Sequence, residues 1–173
     1  MSDPTSASAP ADRLGGRPAQ RVLGLRAEAQ GFCWAVVGGS QQAPRLRGNE
    51  RVEAPRSYSE GEALVWCRAR VLQIIQDHEP THVAIRYQEP TARRHDSASR
   101  QRCRVEGVLL EAAASRQLVI ATGALATIAK GLGTNTTEAK ASLSAEEFRG
   151  VDLKKVPAPR REAIVVAIYA LQA

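Results

Sequence analysis

The sequence predicts an α/β fold, a central mixed sheet of an antiparallel hairpin plus parallel strands, flanked by helices. Two apolar runs, 21–26 and 31–39, are separated by a short polar turn with Gly31 at its end, the pattern of a hairpin. Two further short apolar runs, 83–85 and 117–122, each follow a stretch with helically spaced apolar residues. A strand, helix, strand, helix, strand order implies parallel pairing through right-handed crossovers. Hydrophobic residues make up 43% of the 173, which suits one domain with a real core.

Residues 1–20 are rich in Ser, Ala, Pro and Gly and lack an apolar h-region. They read as a disordered lead-in and not a signal peptide, leaving 21–173 as the domain. The stretch 44–51 has the character of a short edge strand. Beyond it, Ser57 or Ser59 can cap a helix over 62–77, with Glu60 and Glu62 favouring its N-terminus. The break His78-Glu79-Pro80 leads into the strand 83–85. Residues 96–114 form a helix that is basic at its start and apolar at its end. A flexible loop is expected over 127–136, a helix over 137–143, a polar capping sequence over 144–147, and an Ala-rich last helix over 162–172.

Composition narrows the function classes. No run reaches about 18 apolar residues, so no membrane helix is expected. Cys33, Cys67 and Cys103 lack Cys-x-x-Cys spacing and read as buried free thiols in a reducing cytoplasm. His78, His82 and His95 lack metal-ligand spacing, so no zinc site is expected. The formal charge is +6 with a pI near 9.7, a moderate pointer to a polyanionic partner. Aromatic residues are 4% of the chain, which disfavours base stacking on single strands and favours phosphate contacts to duplex or branched nucleic acid, DNA before RNA. No cofactor is called for.

The residues of interest are two arginines, Arg26 and Arg86, each closing an apolar strand. Ligands of open α/β sheets bind at the C-terminal ends of strands, where a charged residue is a functional candidate. Leu23-Gly24-Leu25-Arg26, Val83-Ala84-Ile85-Arg86, the basic segment from Asp96 to Arg104 with Gly107-Val108, Gly131-Leu132-Gly133 with Lys140 downstream, and Glu162 to Ile168 together resemble the RuvC-type Holliday-junction resolvases of the RNase H-like superfamily. The resemblance covers most of residues 22–171 in element order and implies that fold. It also implies four carboxylates holding two Mg²⁺ ions, at positions that here read Arg26, Arg86, Pro159 and Glu162.

One acid remains of the four. An arginine about 4 Å from a divalent ion repels it by about 8 kcal/mol at an effective dielectric near 20. The expectation is therefore a catalytically degenerate member with no metal site and no catalytic residues. Arg26 and Arg86 then become a direct phosphate cradle, since guanidinium pairs its donors with phosphate oxygens. Arg93, Arg94, Arg100, Arg102, Arg104, Lys130, Lys140, Lys154, Lys155, Arg160 and Arg161 are the supporting nucleic-acid contacts, each with the alternative of an ordinary solvated charge. The resemblance further implies a two-fold dimer through the helix 96–114. Val105, Val108, Leu109 and Ala112 are its candidate seam, or equally the core of a single chain. Two alternatives stay open: an active nuclease using displaced acids among Glu28, Glu89, Asp96 and Glu106, and a protein-interaction scaffold.

Overall fold

The computed structural model describes residues 20–88 and 97–172. Its main sheet has five strands in the order β3-β2-β1-β4-β5. These are β1 (Arg21–Glu28), β2 (Gly31–Gly39), β3 (Pro44–Glu53), β4 (His82–Arg86) and β5 (Val119–Gly123). β1, β2 and β3 pair antiparallel, while β4 joins β1 and β5 joins β4 in parallel. The helices are α1 (Glu60–His78), α2 (Ser97–Ser115), α3 (Leu125–Gly131), α4 (Thr136–Ser144) and α5 (Ala158–Tyr169); a small hairpin pairs β6 (Glu147–Phe148) with β7 (Val151–Asp152).

Strand alternation divides the core between the two sheet faces. Leu23, Leu25 and Ala27 of β1, with Val83 and Ile85 of β4, pack with buried residues of α1 and α2. Val22 of β1 and Ala84 of β4 pack with the buried face of α5 on the other side. Each fully buried aliphatic side chain of this kind is worth about 1.5–3 kcal/mol. The two-residue period carries two consequences for β1 and β4. Even-numbered residues face α5; Arg86 ends β4 on that face, whereas β1 runs on to Glu28, two residues past its expected end at Arg26.

α1 starts as its sequence dictates: Ser59 and Glu62 form a reciprocal capping box, satisfying two helix-start donors. α5 lies close against β1 because Gly24 has no side chain. A Cβ there would come within 2.0 Å of the Ala163 carbonyl oxygen and 2.8 Å of Ala167 Cβ.

Several expectations need correction. The first half of the loop expected over 127–136 is instead the end of α3, with Leu125, Ile128 and Ala129 buried at helical spacing, and 132–135 form the loop before α4. Gly131 there serves packing: a Cβ would lie 2.1 Å from Cε2 of Tyr169. Residues 144–147 lead into the β6–β7 hairpin, whose turn takes Arg149 and Gly150 at positive φ, 51° and 81°. α5 begins at Ala158, four residues before the expected start, and Pro159 sits in its first turn, where a missing N–H costs nothing. Cys33 and Cys67 are buried free thiols, but Cys103 is exposed on α2. Val105, Leu109 and Ala112 lie in the core of one chain, with Val108 packed at its margin, so they are not a free seam for a second subunit. Among the described residues no helix is long and apolar enough to cross a membrane.

Candidate nucleic-acid interface

Arg26 and Arg86 are register partners in the parallel β1–β4 ladder. Glu162, one turn into α5, reaches both: its Oε2 lies 3.3 Å from Arg26 Nε and 3.7 Å from Arg86 Nε. The three side chains are 15%, 11% and 21% exposed, so this is a largely desolvated cluster. Arg26 also donates to the Ala27 carbonyl and, at 3.4 Å, to Glu28 Oε1. Glu28 in turn accepts from Arg51 Nε at 2.6 Å. Arg86 donates a further bond to the Tyr87 carbonyl. The expected direct phosphate cradle is thus tied into the protein, and Glu162 and Glu28 offset much of its added positive charge.

The cluster floors a cavity of about 190 Å³ at the C-terminal edge of β1 and β4, between α2 and α5; its lining includes Tyr87, Gln88, Arg102 and Glu106. Glu106 accepts from the Gln88 backbone N–H at 3.1 Å. Burial pushes its carboxyl above the usual range, against the pull of that N–H and of Arg102, Arg86 and Arg26. The Cys33 thiol, behind the arginines on β2, is pushed up to about 12 by burial, with Glu28 adding to the effect.

These residues do not fit a divalent cation. Mg²⁺ needs several oxygen ligands close to 2.1 Å in octahedral array, and the Glu162 carboxylate is shared between two guanidiniums. Among the described residues no three of His, Cys, Asp and Glu gather as a metal cluster. Glu28 is held by Arg26 and Arg51, while Glu89 and Asp96 lie outside the described residues.

The other expected contacts divide. Arg102 lines the cavity. Arg100, Lys130, Lys140, Lys154 and Lys155 are exposed, and Arg104 is exposed but paired with Glu60. Arg93 and Arg94 lie outside the described residues. Arg160 and Arg161 are half-buried and also brace the fold. Arg160 binds Asn49 Oδ1 at 2.7 Å and its carbonyl at 3.0 Å. Arg161 holds the carbonyls of Val156, Leu143 and Ala145. These bonds join α5 to β3 and to the end of α4, using the Nε and one terminal nitrogen of each guanidinium. Sequence reasoning missed Tyr87 and Gln88 as cavity walls; their place directly after Arg86 was the available signal.

No protein-family model matches the chain, and no curated protein matches it in sequence. Solved structures do. RuvC of Thermus thermophilus in complex with a Holliday junction substrate superposes with a TM-score of 0.70 at 18% identity, covering 87% of this chain and 92% of that one. A second structure of Thermus thermophilus RuvC gives 0.71 at 19%, with the same coverage. The yeast mitochondrial Holliday junction resolvase gives 0.52 at 10%, over 88% of this chain and 79% of its own. The chain has the RuvC-type RNase H-like fold.

Proposed function

We propose that this chain is a nucleic-acid-binding protein on a RuvC-like fold that engages duplex or branched DNA through phosphates and does not hydrolyse it. The observation that carries this reading is the Arg26–Glu162–Arg86 cluster. A carboxylate locked between two fixed cations occupies the strand ends where the resemblance implies a metal cage. Binding is supported by the solved complex of a structural neighbour with a Holliday junction and by the exposed cations Arg100, Lys154 and Lys155. α2 and α5 both begin at the edge of the sheet that holds the cavity, and these cations lie near those beginnings. Such contacts position a backbone and carry little sequence information.

The test is a binding panel of four-way junction, duplex, single strand and structured RNA at two salt concentrations, with and without Mg²⁺. The expected result is salt-sensitive retention of junction and duplex that is the same in EDTA. Weak, equal and salt-insensitive retention of every ligand would favour a protein-interaction scaffold instead.

A further inference from the structure

A second cavity, of about 160 Å³, lies where the β1–β2 turn and the first halves of α1 and α2 converge. It exists because small side chains meet there, Ala29 from the turn and Ala63 and Cys67 from α1, with Leu64 and Val105 as apolar walls. Cys67 is the most buried of the lining residues, and burial pushes its thiol up to about 11, so it stays neutral. The polar groups are Gln30 and Tyr58, both exposed, and Gln101, half-buried. Among the described residues none hydrogen-bonds the two side-chain amides or the phenol. Glu60, the one charged lining residue, is ion-paired with Arg104. The cavity is therefore without net charge and unsuited to a phosphate. It is also below the roughly 300 Å³ at which pockets for drug-sized ligands begin. What it suits is one neutral, planar ring with donors and acceptors along its edge. α2 joins this cavity to the first: Gln101 and Val105 line one, and Arg102 and Glu106, the next residues along the helix, line the other.

We propose that this second cavity receives one unpaired nucleobase of a bound nucleic-acid strand, stacked on Tyr58 and hydrogen-bonded by Gln30 and Gln101. The inference rests on the nucleic-acid reading above and extends it from phosphates to a single base. Each amide offers both a donor and an acceptor, and every base presents a ring face to an aromatic side chain, so the site takes a base without selecting its identity. A base inside a duplex stays in its stack, whereas one that is already unpaired at a bulge or branch point enters at the least cost. Branched or bulged DNA thereby gains an advantage over plain duplex that phosphate contacts alone do not supply. One tyrosine serves one base, in keeping with a chain too poor in aromatic residues to build a track for single strands. An apolar side chain of a partner protein would fill the same space but leave both amides without partners, which costs affinity.

The experiment measures full-length protein against three hydroxyl-ended duplexes: one fully paired, one with a single extrahelical 2-aminopurine, and one with an abasic residue at the same bulge. The abasic form keeps the distorted backbone and lacks only the ring. The 2-aminopurine bulge should bind about tenfold more tightly than the abasic one, and its fluorescence should fall on binding as the ring stacks on Tyr58. Ala63→Leu fills the cavity and Tyr58→Ala removes the ring face. Each should abolish the increment while the paired duplex binds as before, which also reports that the variant is folded. Tyr58 is exposed in the turn before α1, so its variant decides the matter where Ala63→Leu disturbs the helix. Equal affinity for the two bulges overturns the base receptor and leaves the cavity to a partner's apolar side chain. An increment that survives Tyr58→Ala or a folded Ala63→Leu also overturns it, with duplex binding intact in both cases. Retention of none of the three duplexes overturns the nucleic-acid reading, and the base as occupant with it.

Discussion

Glu162 is the residue on which the site's electrostatics turn. It satisfies two guanidiniums that are both more than four-fifths buried, and removing one member of such a cluster leaves uncompensated buried charge. Glu162→Gln should therefore destabilise the protein by about 3 kcal/mol, read as a lower urea midpoint with an unchanged slope. Arg26→Asp combined with Arg86→Glu reverses the cluster's sign and should weaken duplex binding more than about tenfold. Unchanged binding would remove these arginines from the interface. Glu106 behaves oppositely to an ion-paired acid. Its folded-state pKa is raised, chiefly by burial, so it costs stability as pH climbs past the ordinary glutamate value of about 4.3, and the cost is complete above its folded-state pKa. Glu106→Gln should then stabilise the chain relative to wild type at pH 7 and not at pH 4, a difference that denaturant melts at the two pH values would show.

Among the elements, α5 sets the geometry of the site, and Gly24 sets α5. Gly24→Ala would drive a methyl against the Ala163 carbonyl, costing about 1–3 kcal/mol as the helix shifts and drawing Glu162 away from Arg26. Loss of stability without any change in the binding of hydroxyl-ended duplex would show that the helix position matters to folding alone. The strands were legible because β2 is an uninterrupted apolar run and β1 and β4 end in charge, and strand parity alone puts Arg26 and Arg86 on one face once the register is known. α3 was not legible, since its seven residues include Gly131, whose role is to let Tyr169 approach. The true start of α5 was hidden by Pro157 and Pro159, which read as breakers although a helix accepts proline in its first turn. The bonds of Arg160 and Arg161 were not legible because nothing local announces that Asn49 and the end of α4 will meet them. Glu28 and Glu106 were candidates from their nearness in sequence to the site, whereas the bonds that tie Gln88 to Ser99 and Glu106 of α2 are a consequence of packing that sequence spacing does not encode.

At the scale of the whole molecule, the chain combines a net charge of +6 with a cluster whose own charges nearly cancel. Long-range attraction therefore belongs to the exposed cations and not to the buried arginines. With Arg160 and Arg161 half-buried, Arg100, Arg104, Lys130, Lys140, Lys154 and Lys155 remain exposed. If all six met phosphates, log affinity for duplex would fall against log salt with a slope of about −5, measurable by titration between 50 and 200 mM salt. Replacing Lys154 and Lys155 by Ala should flatten that slope by about 2 without altering stability. The most direct measurement is on a four-way junction held in saturated complex with the protein and incubated with Mg²⁺ or Mn²⁺, the strands then resolved under denaturing conditions. The prediction is a fully bound junction with every strand intact, and strand cleavage that disappears in Glu162→Gln would contradict it.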